Sequence, residues 1–214
     1  MEVIVQNKRL LIIGAGGFGR ELADWLEMYP VEKKDWIVGG FIDDNLEALA
    51  GFKTKYKVLG RVNEFSYSND DLAVVAIADP DIKEKIYNSL KDRIKFYTFI
   101  HPTVIIGSNV EIGEGVIMYP NTIISTNCKI GKMVSMGCGN HIGHDTSIGE
   151  FSSFMASIDI GGENNIGSKV YVGSKATIVP RRKITDHVKI SSGSVVINNI
   201  KIAATYFGNP ATKI

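Results

Sequence analysis

Apolar residues recur at every sixth position through the second half of the chain. The series runs from Ile94 to Ile202, and from Ile100 onward it contains no insertion. A period of six does not fit an α-helix, whose apolar stripe recurs about every 3.6 residues. It fits short strands that meet at corners, with three hexads forming one coil. The repeat therefore predicts a parallel β-helix whose coils stack at about 4.8 Å.

Two other positions of the hexad are also restricted. Glycine often follows the apolar residue directly, and the residue four places after the apolar one is small or β-branched, as at Val116, Cys128 and Ser152. We expect the apolar and the small residues to point into the coil. We expect the glycines to adopt corner conformations that residues with a Cβ avoid. The pattern does not fix the hand of the helix.

The first hundred residues alternate between two other patterns. Short apolar runs at 9–13, 36–42, 72–77 and 94–99 predict strands. Helices are predicted after the glycines of residues 14–19 and from Asp79-Pro80, where proline takes the favoured first position. This alternation predicts a small α/β domain with a parallel sheet, over 1–99, followed by the β-helix over 100–214. Ile94 fits both the last strand and the six-residue series.

A glycine motif follows the first strand. Gly14, Gly16 and Gly19 match GxGxxG at the start of a helix, and Asp43 and Asp44 end the next strand. Such a turn lets a pyrophosphate approach bare backbone at a helix N-terminus, where acids can contact a ribose or a base. The other interpretation is that the glycines only permit close packing of strand and helix. The domain is too short for a full dinucleotide fold, so a mononucleotide is favoured over NAD.

Composition and charge exclude several classes of protein. The chain has 24 Lys and Arg residues against 23 Asp and Glu residues, and the net charge of +1 does not favour nucleic acid. Two cysteines without a Cys/His cluster exclude a disulfide scaffold and a zinc site, so no metal is expected. The first residues match neither a signal peptide nor a membrane span. A cytoplasmic protein without membrane insertion is expected.

One histidine of the β-helix stands in a setting suited to catalysis. His144 lies two places after an inward position, so it should project outward; Asp145 follows it, and Gly162 lies one coil above. A histidine beside bare backbone resembles a general base next to an oxyanion donor, as acyl transfer requires. The alternative is a surface histidine on a scaffold, and that interpretation is favoured for His141 and His187.

Four segments together resemble a known family. They are IIGAGGFGREL, FIDD, the hexads with IGHDTSIGEFS, and the terminal GNPATKI. The chain resembles, over essentially its whole length, the sugar O- and N-acyltransferases that join a short nucleotide-binding domain to a left-handed β-helix. This family includes UDP-4-amino-sugar N-acetyltransferases of bacillosamine synthesis, perosamine N-acetyltransferases and sialic acid O-acetyltransferases. The resemblance implies a left-handed β-helix here.

The resemblance also implies site residues and ligands. The family's catalytic histidine and its acidic neighbour correspond to His144 and Asp145. Its acetyl-CoA contacts correspond to Ser153, Gly162, Ser174 and Ser192. Its sugar-nucleotide contacts correspond to Gly16, Gly17, Phe18, Asp43, Asp44 and Ala78. The chain departs from the family at Ser153, where histidine is frequent, at Ala78, where glycine is frequent, and at Gly137, where asparagine is common.

The sequence thus predicts an acetyl-CoA-dependent acetyltransferase that acts on a nucleotide-linked sugar, with direct transfer and His144 as base. A homotrimer is expected, because a donor cleft on one open face needs a second wall. Three other functions stay open: an O-acetyltransferase for a free or CMP-linked nonulosonic acid, a non-catalytic β-helix binding module, and an NAD-linked enzyme suggested by the glycine motif. The identity of the nucleotide and the sugar also stays open.

Overall fold

The computed structural model of the protein describes residues 8–214. The first seven residues, on which the expected lack of a signal peptide rests, lie outside the described part. The chain forms two compact units. The first comprises the chain up to Ile77 together with Lys85–Tyr97, and the second comprises Ala78–Glu84 together with Thr98–Ile214. The predicted boundary between residues 99 and 100 thus falls close to the second junction, but the short segment Ala78–Glu84 is grouped with the β-helix.

The first unit contains a four-stranded parallel sheet in the order β2-β1-β3-β4. Strand β1 begins with two charged residues and is then apolar, and Leu10, Leu11, Ile12 and Ile13 are fully buried. Helix α1 packs through Leu22, Ala23 and Leu26 at helical spacing, as expected for an amphipathic helix. In chain order the elements are β1 Lys8–Ile13, α1 Gly17–Glu27, a 3-10 turn Val31–Lys33, β2 Trp36–Ile42, β3 Asp71–Val75, α2 Pro80–Leu90 and β4 Lys95–Phe96.

The second unit is a left-handed parallel β-helix, which confirms the predicted fold class. Its three faces are sheets of five, six and eight strands, and strands that pair in parallel are offset by one coil, as in Ile130 with Ile148. The two-residue strands are β5 Phe99–Ile100, β6 Ile105–Ile106, β7 Glu111–Ile112, β8 Ile117–Met118, β9 Ile123–Ile124, β10 Lys129–Ile130, β11 Ser135–Met136, β12 His141–Ile142, β13 Ser147–Ile148, β14 Ser153–Phe154, β15 Asp159–Ile160, β16 Asn165–Ile166, β17 Tyr171–Val172, β18 Thr177–Ile178, β19 Lys183–Ile184, β20 Lys189–Ile190 and β21 Val195–Val196. A final hairpin of β22 Thr205–Gly208 and β23 Ala211–Lys213 extends the eight-stranded face.

The hexad register holds through the core of this unit. The apolar residues of the series form one buried cluster, and small residues such as Val116, Cys128 and Ala176 lie inside it. The predicted strand over 94–99 is the part that differs. It is divided between β4 in the first unit and β5 in the second, and Ile94 lies before β4, so its place in the six-residue series is accidental.

The expected role of the hexad glycines is wrong. None of the glycines that directly follow an apolar residue has a positive φ; the left-handed corner lies two residues later and is occupied mostly by other residues. These glycines are needed because the next coil is close. A Cβ at Gly149 would lie 2.4 Å from the Ser168 nitrogen, and one at Gly113 would lie 2.5 Å from the Lys132 nitrogen. Stacking distance, and not backbone conformation, therefore selects glycine.

Candidate active site

One edge of the β-helix carries the predicted base. We call it the His144 edge: it consists of the turns 107–110, 125–128, 143–146, 161–164 and 179–182, between the six-stranded and five-stranded faces. His144 directly follows the turn's first glycine, and Asp145 takes the left-handed corner with a φ of 58°. Aspartate tolerates this conformation better than most residues. Both side chains are about half exposed, so the histidine projects outward as predicted.

The two side chains are joined by a short hydrogen bond. His144 Nδ1 lies 2.7 Å from Asp145 Oδ2. A carboxylate can only accept, so Nδ1 carries the proton and donates it. Two hydrogen bonds lower the pKa of Asp145, and the bond from His144 has a larger effect than the bond from Asn127. The carboxylate therefore stays ionised at neutral pH. In the neutral imidazole, Nε2 is then the nitrogen without a proton, and no residue within 8–214 forms a hydrogen bond to it.

Bare backbone lies against the imidazole. A Cβ at Gly162, one coil above, would be 2.6 Å from His144 Nε2, so glycine lets the imidazole lie directly against the backbone, and a side chain here would have to displace it. The Gly162 carbonyl accepts from the Arg181 amide, whereas the Gly162 amide has no acceptor in the described part of the chain. A basic nitrogen next to an unused N–H can accept a proton while a neighbouring oxyanion is stabilised.

The other β-helix histidines occupy different settings. His141 is equally exposed, and its Nδ1 lies 3.0 Å from Asp159 Oδ1, but Asp159 occupies the place one coil above it. His187 lies on another edge, 3.9 Å from an oxygen of Asp81. Neither histidine has glycine one coil above it, so neither has the arrangement of His144.

Two of the predicted acetyl-CoA contacts lie on a second edge. We call it the Ser174 edge: it consists of the turns 119–122, 137–140, 155–158, 173–176 and 191–194, between the eight-stranded and six-stranded faces. Ser174 and Ser192 stand one coil apart there, and the Ser174 carbonyl accepts from the Gly193 amide at 2.9 Å. The structure brings these serines together, but it does not bring them to His144 within one chain.

Ser153, the remaining predicted acetyl-CoA contact, is fully buried. Its Oγ accepts a hydrogen bond from Lys83 Nζ at 2.8 Å and lies 3.1 Å from Ser135 Oγ. Lys83 Nζ also donates to Ser135 Oγ at 3.0 Å and to the Ser152 carbonyl at 3.2 Å. A hydroxyl enclosed in this way is not open to a ligand at the surface, so the expected direct contact of Ser153 with acetyl-CoA does not fit this position.

Lys83 is a buried ionisable residue that was not predicted from the sequence. It is 1% exposed, yet it stands in a charged stretch that suggests a solvated helix face. The available signal was its spacing: Lys83 precedes Ile86 and Leu90 at i+3 and i+7, which puts it on the buried stripe of α2. Burial lowers the pKa of Lys83 to about 7, against a smaller opposing effect of Asp79.

This shift predicts a pH-dependent stability. The unfolded chain retains the Lys83 proton up to about pH 10.5, whereas the folded chain loses it near pH 7. The free energy of unfolding should therefore rise between these pH values, by up to about 1.4 kcal/mol for each pH unit. Urea unfolding across this range should show the rise in the wild type and in Lys85→Met, an exposed control on the same helix, but not in Lys83→Met. An equal rise in Lys83→Met would contradict this assignment.

The glycine turn of the first unit has two kinds of glycine. Gly14 has a φ of 100°, and a Cβ at Gly19 would lie 1.9 Å from the Gly14 carbonyl oxygen, so both are required by the turn and its packing. Gly16 and Gly17 have no atom within 4 Å of a Cβ position. Packing does not explain the second pair. The open space beside Gly16 and Gly17 lies at the N-terminus of α1. This helix end has no side-chain cap, and its first turn, to which Phe18 belongs, contains no acidic residue.

Asp43 and Asp44, the two acids predicted to contact the nucleotide, accept hydrogen bonds from backbone amides. Asp43 Oδ2 accepts from the Ala15 amide and Oδ1 from the Asn45 amide, both at 2.8 Å, which ties the glycine turn to the end of β2. Asp44 Oδ1 accepts from the Val62 amide at 3.0 Å. Both carboxylates thus have structural partners and still possess lone pairs for a ligand. Ala78, the last predicted nucleotide contact, is grouped with the second unit.

Residues 8–214 contain neither a metal-binding cluster nor a membrane-spanning helix. No group of three or more His, Cys, Asp or Glu residues is arranged to hold a metal ion. The two α-helices of this part are each 11 residues long, too short to cross a bilayer.

Both units resemble parts of known proteins. Residues 9–90 match the family described as the PglD N-terminal domain. No curated protein sequence matches the chain significantly. PerB from Caulobacter crescentus, solved with CoA and GDP-perosamine, superposes with a TM-score of 0.83 at 20% identity over 96% of each chain.

Two further solved structures have the same fold. WeeI from Acinetobacter baumannii has a TM-score of 0.71 at 24% identity and covers 96% of this chain and 99% of its own. The acetyltransferase domain of PglB from Neisseria gonorrhoeae has a TM-score of 0.68 at 23% identity and covers 97% and 100%. At these identities the likeness establishes the fold. The second unit therefore has the fold of a left-handed β-helix of hexapeptide repeats, and residues 9–90 match the PglD N-terminal domain family.

Proposed function

We propose that the protein transfers an acetyl group from acetyl-CoA to the amino group of a nucleotide-linked sugar. One observation carries the proposal: the imidazole of His144 is held by Asp145 at 2.7 Å with its free nitrogen against the bare backbone of Gly162. The neighbours add support, because PerB was solved with CoA and GDP-perosamine and the PglB domain with acetyl coenzyme A.

The reaction needs one base and one oxyanion donor. The amine nitrogen of the sugar attacks the thioester carbonyl, and His144 Nε2 accepts the proton that the nitrogen loses. The Gly162 amide donates to the oxyanion of the tetrahedral intermediate. When the intermediate collapses, the C–S bond breaks and the CoA sulfur leaves with a proton returned from His144. Asp145 holds the imidazole in the required tautomer throughout. No acetyl-enzyme is formed.

The nucleotide is proposed to bind at the glycine turn of the first unit. Its diphosphate would occupy the open space beside Gly16 and Gly17, where the α1 N-terminus supplies partial positive charge. Asp43 and Asp44, at the end of β2, would accept from the ribose or the base through the lone pairs that the backbone amides leave free.

A negative charge in this space tests the nucleotide site. Gly17→Asp is expected to weaken sugar-nucleotide binding at least tenfold, because its carboxylate would oppose the diphosphate. Acetyl-CoA affinity and the thermal midpoint should be unchanged, since the position is open. Calorimetric titration of both ligands measures this. Gly17→Asn is the control for bulk without charge, and equal losses for both variants and both ligands would contradict the proposed site.

The acyl-donor site is proposed to lie between two copies of the chain. His144 and the serines Ser174 and Ser192 stand on different edges of one β-helix. A site that uses both requires the His144 edge of one copy beside the Ser174 edge of another. Three copies close such a head-to-tail contact into a ring, so we infer a homotrimer. Light scattering measures its mass directly, and a fully active monomer would contradict this assembly.

The substrate class can be identified by a thiol-release screen. Acetyl-CoA is mixed with UDP-, GDP- and dTDP-linked 4-amino sugars, and with CMP-linked and free nonulosonic acids. We expect CoA release with at least one amino-sugar nucleotide and none with the corresponding 4-hydroxy sugar. Release only with a nonulosonic acid would overturn N-acetylation in favour of O-acetylation. Binding of a sugar nucleotide without any release would indicate a non-catalytic module.

A further inference from the structure

The His144 edge carries amide or carboxylate side chains at the left-handed corners of four successive coils, Asn109, Asn127, Asp145 and Glu163. The first three each have a φ of 58°. Asparagine and aspartate tolerate this conformation, which is one reason for their presence. It is not a sufficient reason, because Met133 and Phe151 occupy equivalent left-handed corners on another edge with φ of 58° and 61°. The first three polar side chains therefore need a second explanation.

The three side chains form a chain of hydrogen bonds that ends on the proposed base. Asn109 Nδ2 donates to Asn127 Oδ1 at 3.1 Å, and Asn127 Nδ2 donates to Asp145 Oδ1 at 3.0 Å. The second oxygen of Asp145 accepts from His144 Nδ1 at 2.7 Å. The direction of this chain follows from its end, because an ionised carboxylate accepts only and Asn127 must turn its NH2 group toward it.

The arrangement gives each oxygen of Asp145 one fixed partner. The carboxylate is about half exposed, and with a single partner it could rotate about its terminal bond. We propose that Asn127 is a positioning residue that fixes Asp145 through Oδ1, so that Oδ2 holds the His144 imidazole in one orientation and one tautomer. The catalytic consequence rests on the proposed function, whereas the effect on the imidazole does not.

The other charged groups on this edge are Glu163, Arg181 and Arg182. Glu163 lies one coil above Asp145, and its amide donates to the His144 carbonyl at 2.7 Å. Its carboxylate is paired with Arg181, one coil further, at 3.1 Å. Arg182 donates to the Pro180 and Ile197 carbonyls. Asn127 is thus the side chain that donates to Asp145 from the coil below, while the coil above offers an acid that already has a counter-ion.

Asn127→Gly tests the positioning role, with His187→Gly as the matched control. His187 is also exposed and has a φ of 57°, but it lies on the third edge, between the five-stranded and eight-stranded faces, which the proposed donor site does not use. Glycine keeps the left-handed corner at both places. For Asn127→Gly we expect kcat to fall about tenfold, the order of loss for removing a partner of a functional side chain, with KM for both substrates unchanged. His187→Gly should match the wild type in both constants.

A second pair of variants adds charge instead of removing a donor. Asn127→Asp brings a carboxylate next to Asp145 and His144, which favours the protonated imidazole. The acid limb of the kcat/KM profile should then move to higher pH by at least half a unit. His187→Asp adds the same charge on the third edge, where distance, solvent and salt screen it, and the limb should not move. Equal profiles for the two variants would contradict the contact between position 127 and the Asp145–His144 pair.

Histidine-selective NMR makes the test independent of activity. In the wild type, long-range nitrogen–proton spectra should show neutral His144 with its proton on Nδ1. In Asn127→Gly a second tautomer with the proton on Nε2 should appear, and in His187→Gly it should not. If the second tautomer appears but no substrate supports turnover in the wild type, the positioning role stands and the proposed function fails. If the spectra and kcat of the two glycine variants coincide, the positioning role is overturned.

Discussion

His144→Ala is expected to lower kcat by about 10²–10⁴, the usual contribution of a positioned general base. The attacking amine would then lose its proton to water, while Asp145 and the Gly162 amide remain in place. The imidazole is proposed to accept the proton of the attacking amine and not to hold either ligand, so KM for acetyl-CoA and for the sugar nucleotide should change little. Steady-state kinetics with the substrate identified in the thiol-release screen measures both constants.

His141→Ala is the matched control for this loss. His141 is as exposed as His144 and also pairs with an acid, Asp159, at 3.0 Å. It lacks only the glycine one coil above it. We expect His141→Ala to keep most of the wild-type kcat. If His144→Ala retains more than about a tenth of kcat while His141→Ala or His187→Ala abolishes it, the base lies elsewhere.

Gly149→Val and Gly173→Val should each destabilise the β-helix by about 3 kcal/mol or more, since the added Cβ meets backbone that cannot move aside. The nearest atoms would be the Ser168 nitrogen at 2.4 Å and the Ser192 nitrogen at 2.5 Å. Each of these belongs to the next coil, which is fixed by its own strand pairing. Chemical unfolding and thermal midpoints report the loss.

Gly17→Ala separates steric conflict from a general cost of losing glycine. Gly17 has open space at its Cβ position and lies at the start of a helix, where alanine is well tolerated. Its variant should unfold at the wild-type midpoint or slightly above. Wild-type midpoints for both valine variants would mean that the coils are not stacked as closely as described.

The β-helix could be predicted almost residue by residue because each coil repeats the same three strands. Counting by six places Ile142 inward, and counting onward from it places His144 outward below Gly162. The strictness of the repeat converts sequence distance into spatial distance. The same counting failed at Ile94, because an apolar residue in a buried sheet satisfies it equally well.

What the sequence did not reveal depends on contacts between distant residues. The spacing of Lys83 indicates a buried face, but nothing in the sequence names Ser135 and Ser153 as its partners. The reason for the hexad glycines also needed coordinates, because a tight corner and a close neighbouring coil both select a residue without a Cβ. The hydrogen bond from Asn127 to Asp145 could have been found, since the two residues are one coil apart.

Direct acetyl transfer is tested most plainly by following a labelled acetyl group. The wild type and His144→Ala are each mixed with carbon-13 acetyl-CoA and the amino-sugar nucleotide, and the product and the intact protein are weighed by mass spectrometry. The account predicts that the wild type transfers one labelled acetyl group to the sugar nitrogen with no change in protein mass, and that His144→Ala transfers it at least a hundredfold more slowly. A labelled protein, or equal rates for the two enzymes, would contradict it.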